Sequence, residues 1–285
     1  MKNIVVTNAY LNTRAFIDLK SALQNAFDED TIFLTNDKAY ALCEHNGNGQ
    51  PILFFDKDII LCQMLEKSGY KPINSSKVIE TCDDKAKTFA ALYGFVSMPK
   101  TYIAPFTYEN IGYTDFDFII QAEKKCGYPM IVKEGKGSFG KQVFKVGNRE
   151  ELISVLEKLQ GKSIVLQEFI AESAGKDLRV YVVGGKAVAC AERINKNDFR
   201  SNVQSGGIMR AVDLNNMGEL EEYAVLAEKT ANLLGCCFAG VDILFSNNGP
   251  MLCEVNSNAH FTALSQATGV DVAKKIAEYY NLLKK

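Results

Sequence analysis

The stretch KEGKGSFGKQVF, residues 133–144, matches two phosphate-binding patterns at once. Its three glycines spell G-x-G-x-x-G, and residues 135–141 spell the start of a P-loop, although Gln142 stands where Ser or Thr is expected. In proteins with those motifs the glycines end a strand and open a helix whose N-terminus holds the phosphate. Here the residues that follow are QVFKV, which are β-branched and aromatic and predict a second strand.

The glycine stretch therefore predicts a hairpin rather than a strand–helix turn. Protein kinases also place glycines in a hairpin, but no V-A-I-K, H-R-D or D-F-G element follows in this chain. Two interpretations stay open on these residues alone. The hairpin folds over a nucleotide and offers backbone N–H groups to its phosphates, or it is a flexible surface hairpin.

Composition limits the possible partners of the chain. With 285 residues, 47% of them hydrophobic, the chain is long enough for two or three compact units. Its net charge of -2 predicts no general attraction to nucleic acid or to an anionic membrane. No apolar run approaches the ~20 residues that span a bilayer, and residues 1–14 have no signal-peptide core. We expect a cytoplasmic protein.

The cysteines and histidines limit the kinds of catalytic and metal site that the chain can form. The eight cysteines form no C-x-x-C pair and lie mostly in apolar stretches, which predicts reduced, buried thiols. With only His45 and His260, a Ser-His-Asp triad or a zinc site with several histidines is hard to build. A metal ion would then be held by carboxylates and amides, which suits Mg²⁺ or Mn²⁺.

Alternating strand and helix patterns predict a small parallel α/β unit over about the first 80 residues. Thr81, with Asp84 three residues on, predicts the start of the next helix, and Asn148 predicts a later helix cap. The last third predicts two hairpins, the first turning at Gly184-Gly185, and a final amphipathic helix.

The hairpin GVDILFSNNGPMLCEVN, residues 240–256, carries facing carboxylates. A three-residue loop ending in a left-handed Gly249 would place Asp242 opposite Glu254 on one face. Asn256 shares that face because side chains alternate along a strand. Two facing carboxylates repel unless a cation lies between them, so the three residues predict a Mg²⁺ site. The alternative is an exposed acidic edge.

Polar and cationic residues precede this hairpin. In DLRVYVV, Asp177, Arg179 and Tyr181 share one face of a strand, which either lines a cleft or is solvated. Arg193 and Arg200, with Asn202, place guanidinium and amide donors around a polar loop. Such donors suit phosphate or carboxylate recognition, although each alone is equally typical of a solvated loop.

Several motifs in order resemble the ATP-grasp superfamily and, within it, the RimK-like α-L-glutamate ligases. The resemblance runs from NSSKVIETCDDK to the C-terminal helix, about three quarters of the chain, whereas the first 50 residues match poorly. The motifs that carry it are PMIVKEGKGSFGKQV, LQEFI, GKDLRVYVVGGK, DFRSN, AGVDILF and CEVNSN.

The resemblance implies an α/β protein with the ATP-grasp fold, divided into three regions. These are an N-terminal Rossmann-like pre-ATP-grasp domain (1–82), a central lid subdomain with the glycine flap (83–166) and a C-terminal antiparallel-sheet subdomain with the metal site (167–285). It also implies a homo-oligomer. ATP would lie in a cleft between the central and C-terminal sheets.

The resemblance further implies roles for individual residues. Lys85 and Lys133 match two lysines that contact ATP phosphates, and Arg193, Arg200 and Asn202 would act on the transferred phosphate or the substrate carboxylate. Metal ligands would be Asp242, Glu254 and Asn256, holding two Mg²⁺ or Mn²⁺ ions. The other residues expected to contact ATP are Gly137, Ser138, Phe139 and Gly140 of the flap, Gln167, Glu168, Phe169 and Ile170 of the hinge, and Asp177.

The implied reaction is ATP-dependent ligation of a carboxylate to an amine through an acylphosphate. The expected substrates are a small acid, a peptide or a protein tail as the carboxylate, and glutamate or another amino acid as the amine. A small-molecule kinase and a non-catalytic ATP-binding module on the same scaffold are the alternatives. One departure stands out, since the family commonly continues EVNSS with Pro-Gly, whereas this chain reads Asn258-Ala259-His260-Phe261. His260 would contact the acceptor or act as a base, or it would pack the next helix.

Overall fold

Three β-sheets organise the chain. The computed structural model describes residues 2–137, 142–202 and 206–284. The sheets have the strand orders β2-β1-β3-β4, β5-β8-β6-β7 and β11-β10-β9-β12-β13. The strands are β1 Ile4–Thr7, β2 Ile32–Thr35, β3 Pro51–Phe55, β4 Lys71–Ile73, β5 Thr101–Ile103, β6 Met130–Glu134, β7 Val143–Val146, β8 Ile164–Glu168, β9 Lys176–Val183, β10 Lys186–Ile194, β11 Ile208–Val212, β12 Phe238–Leu244 and β13 Met251–Asn256.

Helices connect and cover these sheets. The helix α5 begins after Asp84, whose carboxylate accepts hydrogen bonds from the N–H groups of Ala86 and Lys87. Asn148 caps α7 in the same way, as predicted, by accepting from Glu151 N. The helices are α1 Arg14–Ala26, α2 Asn36–Ala39, α3 Ile59–Lys67, α4 Ser76–Cys82, α5 Lys85–Leu92, α6 Ile119–Cys126, α7 Arg149–Lys158, α8 Glu221–Leu234, α9 Thr262–Thr268 and α10 Val272–Leu282.

The N-terminal sheet is parallel throughout, as its alternating pattern predicts. The central and C-terminal sheets are antiparallel. In the central sheet, β6 pairs with β7 across the glycine stretch, so the prediction of a hairpin there is confirmed. When the chain is divided into the three regions 1–82, 83–166 and 167–285, each region contains one sheet. The exception is β8, whose last two residues, Gln167 and Glu168, lie beyond the second boundary.

The carboxylate hairpin has the predicted pairing at its functional end. Asp242 lies opposite Glu254, and Gly249 has a φ of +90°. Nearer the turn, Ile243 pairs with Leu252 and Leu244 with Met251. Cys253 is therefore an extra residue on β13, a one-residue bulge opposite the step from Asp242 to Ile243. The turn at Gly184-Gly185 also follows the prediction, since both residues have positive φ angles.

Several short elements differ from the sequence prediction. The strands β2 and β11 are missed because both are half exposed and flanked by polar residues, and α4 is missed with them. Thr81 lies inside α4 rather than at a helix start. All eight cysteines are free thiols, as predicted. In the described residues no helix is long and apolar enough to cross a bilayer.

The N-terminal and C-terminal sheets share one hydrophobic core. Leu53 and Phe55 of β3 belong to the same buried cluster as Tyr181 of β9 and Phe238 of β12. The Tyr280 hydroxyl of α10 donates to Pro51 O at 2.7 Å and accepts from Ile4 N at 3.2 Å. The N-terminal sheet is therefore fixed against the C-terminal sheet.

Asn74, which follows β4, joins the same two sheets through hydrogen bonds. Its side chain is fully buried. Its Nδ2 donates to Phe238 O at 2.8 Å and to Ser257 O at 2.9 Å, and its Oδ1 accepts from Cys237 N at 2.6 Å. The Asn74 side chain thus satisfies backbone groups at the start of β12 and just after β13.

Replacing Asn74 with Ala (N74A) should lower the free energy of unfolding by about 2–4 kcal/mol, because it leaves several buried backbone groups without partners. Urea unfolding followed by circular dichroism measures the change. The control is N216A, at an exposed turn position, which should be within about 0.5 kcal/mol of the wild type. A loss for N74A no larger than that of N216A would contradict the role of Asn74.

Candidate active site

A cleft of about 860 Å³, including solvent at its mouth, opens between the central and C-terminal sheets. One side of its wall is apolar, with Ile131, Val143 and Leu244, and another side carries cations. This combination suits a nucleotide, whose base is flat and apolar and whose phosphates are anionic. The predicted site residues that line the cleft are Lys85, Lys133, Gly137, Gln167, Glu168, Phe169, Ile170, Asp177, Arg200, Asn202 and Glu254.

Two lysines converge at the cationic side of the cleft. Lys85 is the first residue of α5, and its ammonium lies 3.0 Å from Gly137 O and 3.3 Å from Glu254 Oε1. Lys133 on β6 is buried, and its ammonium donates to Gln167 Oε1 at 2.7 Å. The Lys85 ammonium thus contacts both the start of the glycine flap and the carboxylate hairpin. The remaining predicted flap contacts, Ser138, Phe139 and Gly140, lie outside the described residues.

The hinge after β8 forms another wall of the cleft. The Glu168 carboxylate accepts from Lys100 N at 2.7 Å, which fixes its position. The Phe169 ring lies 6.4 Å from the Phe199 ring, nearly edge-on, and the Lys145 ammonium sits 3.8 Å from the Phe169 ring centre. Two aromatic rings with a cation between the sheets provide a surface that a flat base can stack against.

A buried charge network lies behind the cleft wall. The Arg193 guanidinium contacts two aspartates, with Nε 2.7 Å from Asp177 Oδ1 and Nη2 2.9 Å from Asp242 Oδ2. Arg179 also binds Asp242, through Nε and through Nη2 at 2.8 Å. The Ser201 hydroxyl of the DFRSN segment donates to Asp177 Oδ2 at 2.6 Å. The network thus links β9, β10 and β12 to the loop that carries Arg200.

The pKa shifts follow from this geometry. Burial raises the pKa of Asp242, but the guanidinium groups of Arg179 and Arg193 outweigh it, so the pKa lies below its ordinary value. Burial lowers the pKa of Arg193, but Asp242 and Asp177 raise it well above the ordinary value. Both groups are therefore charged at neutral pH. Arg193 is 5% exposed and does not line the cleft, so the structure does not bring this predicted catalytic residue to the cleft surface.

The donor set for a divalent cation consists of Asp242, Glu254 and Asn256. Asp242 and Glu254 face each other, and each contacts a cationic side chain of the protein. Carboxylate and amide oxygens are hard donors of the type that Mg²⁺ prefers. Of the three residues, Glu254 lines the cleft, whereas Asp242 is buried with its carboxylate held by Arg179 and Arg193, and Asn256 does not line the cleft. No cluster of three or more His, Cys, Asp and Glu side chains occurs among residues 2–137, 142–202 and 206–284. An ion there would thus need Asn256 and phosphate oxygens as well.

Arg200 reaches the cleft from the loop after β10. Its Nη2 lies 2.6 Å from Asp198 Oδ2, its Nε lies 3.1 Å from both Asp198 oxygens, and its guanidinium carbon lies 5.5 Å from the Phe199 ring centre. Asn202 lines the cleft from the same loop. Sequence reasoning missed a further ten lining residues, all of which except Ser173 lie within the quoted motifs: Ile131, Glu134, Gln142, Val143, Ser173, Lys176, Phe199, Ser201, Leu244 and Cys253.

The Asn258-Ala259-His260 turn lies between the N-terminal and C-terminal sheets. Asn258 Nδ2 donates to Asp56 O at 2.6 Å, and the Tyr181 hydroxyl donates to Ala259 O at 3.2 Å. The His260 ring centre lies 5.9 Å from that of Phe16 on α1. Burial lowers the pKa of His260, and nearby cationic side chains lower it further. The imidazole is therefore neutral at physiological pH.

Comparison with known proteins agrees with this architecture. The RimK-like ATP-grasp domain, as a sequence family, matches residues 82–280. N-acetylaspartylglutamate synthase A of Homo sapiens is 34% identical over 233 residues, which are 80% of this chain and 57% of that protein. A probable alpha-L-glutamate ligase of Rhodopirellula baltica is 33% identical over 235 residues, covering 81% and 54% of the two chains. The chain thus spans just over half the length of these relatives.

The fold is also found in solved structures. D-alanine–D-alanine ligase from Bacillus anthracis, crystallised with ATP, superimposes with a TM-score of 0.75 at 19% identity, over 100% of this chain and 99% of that one. This likeness shows that the fold is the predicted ATP-grasp fold. The family match covers more than half of the chain and contains every residue of the cleft from Lys85 to Glu254. The chain therefore belongs to the RimK-like ATP-grasp family.

Proposed function

We propose that this chain is an ATP-dependent ligase that joins a carboxylate to an amine. The observation that carries the proposal is the position of the Lys85 ammonium, between Gly137 O of the glycine flap and Glu254 of the carboxylate hairpin. ATP would place its base against the hinge, with its phosphates beside Lys85 and Lys133. Phosphoryl transfer needs positioning and charge neutralisation rather than a covalent catalyst, and these residues supply both.

The reaction would proceed in two steps. A substrate carboxylate oxygen attacks the γ-phosphorus of ATP, and the bond to the β–γ bridging oxygen breaks, which gives an acylphosphate and ADP. The neutral amine nitrogen, after giving one proton to water, then attacks the acyl carbon. The bond from that carbon to the phosphate oxygen breaks, and the second nitrogen proton passes to water or to the departing inorganic phosphate as the amide forms. Arg200 and Asn202 would orient the transferred group, and Arg200 would also neutralise charge on the acylphosphate.

In this proposal Asp242, Glu254 and Asn256 hold Mg²⁺ or Mn²⁺, two ions in all, which supply further charge neutralisation when bound. Arg179 and Arg193 keep Asp242 ionised and in place, since their guanidinium groups hold the pKa of that carboxyl below its ordinary value. The predicted role of Arg193 is thereby refined, because it acts through two aspartates rather than by touching the substrate.

We infer glutamate as one amine substrate from the names of the two relatives, N-acetylaspartylglutamate synthase and alpha-L-glutamate ligase. The first of these names gives N-acetylaspartate as the first acid to test, and the family resemblance adds peptides with a C-terminal carboxylate. A homo-oligomer, predicted from the family resemblance, belongs to the same proposal and can be measured by light scattering.

The test is a panel of acids and amines with ATP and Mg²⁺, scored by phosphate release, with products weighed by mass spectrometry. The acids are N-acetylaspartate, citrate and short peptides, and the amines are the common amino acids. The ligase proposal expects ADP and free phosphate only when both an acid and an amine are present, with a product mass equal to their condensation.

Other outcomes identify the alternative functions. ADP with a stable phosphorylated product would indicate a small-molecule kinase on the same scaffold. ATP binding without any turnover over the full panel would indicate a regulatory module. Either result contradicts the ligase proposal.

A further inference from the structure

The N-terminal sheet has a topological switch point between its two central strands, β1 and β3. Its order is β2-β1-β3-β4 and all four strands are parallel. The chain leaves β1 through α1 towards β2 on one side, and it leaves β3 through α3 towards β4 on the other. Such a reversal opens a crevice outside the carboxyl ends of the two central strands, and ligands bind there in open α/β sheets.

Asn8 and Asp56 stand at this crevice, one residue beyond β1 and β3 respectively. The Asn8 amide nitrogen lies 3.2 Å from each oxygen of the Asp56 carboxylate, and Lys57 N donates to Oδ1 at 2.6 Å. Asp56 is only 7% exposed. Its carboxylate is therefore buried, and its hydrogen-bond donors are neutral.

When all the hydrogen-bond donors to a buried carboxylate are neutral, its negative charge is incompletely compensated. No lysine or arginine of the described chain forms an ion pair with Asp56, and the Lys57 ammonium pairs with Asp83 instead. Burial raises the pKa of Asp56, and the nearby Asp58 raises it further, against the hydrogen bonds from Asn8 and Lys57 N. The Lys20 ammonium reaches the same end of β1 but donates to Asn8 O at 2.8 Å, so the Asp56 carboxylate keeps a negative charge that a bound cation would complete.

The turn after β13 contacts the Asp56 end of this crevice. Asn258 Nδ2 donates to Asp56 O at 2.6 Å, whereas Asn258 Oδ1 is buried and has no hydrogen-bond partner among the described residues. Asn258 follows the candidate metal ligand Asn256 by two residues, so at most about 7 Å of backbone separates them. This turn thus connects the crevice to β13, the strand that carries the candidate metal ligands Glu254 and Asn256.

We propose that Asp56, with Asn8 and Asn258, forms the binding site for the ammonium group of the amine substrate. This inference rests on the proposed ligase function and assigns its second substrate to the switch-point crevice. The Asp56 carboxylate and Asn258 Oδ1 are the acceptors, and Asn8 holds the carboxylate in place. The amine is thereby bound as a protonated primary amine before it loses its proton and attacks.

The test compares Asp56→Asn with a matched control at the opposite, amino-terminal end of the strands in the same sheet. Asp28 accepts from the Asn3 amide nitrogen at 3.2 Å on each oxygen, as Asp56 does from Asn8. With L-glutamate as the amine, D56N should raise the KM for L-glutamate about 10- to 100-fold, since a charge-assisted hydrogen bond is lost. The KM for ATP should stay within about twofold, and D28N should change neither constant.

A neutral nucleophile separates amine binding from acyl activation. Hydroxylamine is largely uncharged at neutral pH and traps an acylphosphate as a hydroxamate without needing an ammonium site. D56N should therefore keep wild-type hydroxamate formation while it loses amide formation. Should D56N fail to fold, N258A serves as a second variant, with an expected rise of about 2- to 10-fold in the KM for L-glutamate alone.

The outcomes distinguish this inference from the proposed function. An active wild type with an unchanged KM for L-glutamate in D56N, or with hydroxamate and amide lost equally, overturns the ammonium site and leaves the ligase intact. A wild type that forms no amide with any acid and amine of the panel overturns the ligase and the ammonium site together.

Discussion

Replacing Arg193 with Met (R193M) should lower the free energy of unfolding by about 3–5 kcal/mol, one of the largest effects expected in this protein. Arg193 is 5% exposed and contacts Asp177 and Asp242 at the same time. Without it, Asp242 keeps Arg179, but within residues 2–137, 142–202 and 206–284 the Asp177 side chain keeps only the Ser201 hydroxyl at 2.6 Å. A buried carboxylate is then left without a counter-charge, and that desolvation cost is the source of the loss.

Two further variants show whether burial is the cause. Arg149 also binds a carboxylate, that of Glu123, through two nitrogen atoms, but its side chain is 54% exposed. R149M should therefore leave urea unfolding almost unchanged. R193K restores the charge but not the two-pronged geometry, so it should recover some of the loss. Equal unfolding free energies for R193M and the wild type would contradict the account of the network.

The pH dependence of the same measurement has a definite sign. Because the folded pKa of Asp242 is lowered, its ionic contribution is fully present above the unfolded pKa and is lost as the pH falls through the folded pKa. In R193M one of the two guanidinium groups is missing, so the folded pKa of Asp242 is lowered less and the ionic contribution that acid removes is smaller than in the wild type. The stability difference between R193M and the wild type should thus be largest near pH 7 and narrow below about pH 4.

The buried charge network also shows which contacts cannot be predicted from the sequence. The Asp242–Glu254 pairing was predictable because a turn at Gly249 sets the register of one local hairpin, and that pairing is confirmed despite the bulge. The contact between Arg179 and Asp242 depends on β9 lying next to β12, strands that are separated by β10, β11 and α8 along the chain. Side-chain alternation places Arg179 on a polar face but does not identify its partner across the sheet.

The same limit applies to the secondary structure. The central strands β1, β3 and β12 are buried along almost their whole length and mostly apolar, and they are predicted correctly. The edge strands β2 and β11 are held by pairing with one neighbour, so their sequences need not be apolar. For the candidate site, the motifs predicted eleven of the twenty-one described residues that line the cleft. They did not predict that Arg193 lies behind the cleft wall, because burial depends on the packing of β10.

Replacing Arg200 with Ala (R200A) should lower turnover about 10³-fold or more while sparing ATP binding. Arg200 lines the cleft from the loop after β10, and its guanidinium is held by Asp198. Ser201, the next residue, ties this loop to Asp177 and hence to the buried network. An arginine fixed in this way can neutralise charge that develops on the transferred phosphoryl group, and such arginines contribute about 10³- to 10⁵-fold to phosphoryl transfer. Ground-state ATP is held mainly by other groups, notably Lys85 and Lys133 in our proposal.

The measurement pairs phosphate release with calorimetric binding of a non-hydrolysable ATP analogue. R210A is the control, since Arg210 also pairs with a carboxylate, that of Glu192, but is exposed on the edge strand β11. It should keep both turnover and nucleotide affinity. A loss of nucleotide affinity in R200A that accounts for the whole loss of turnover would mean that Arg200 binds ATP in the ground state. Unchanged turnover would remove Arg200 from the reaction altogether. A selective loss of turnover would instead show that Arg200 stabilises the transition state, in which charge develops on the transferred phosphoryl group.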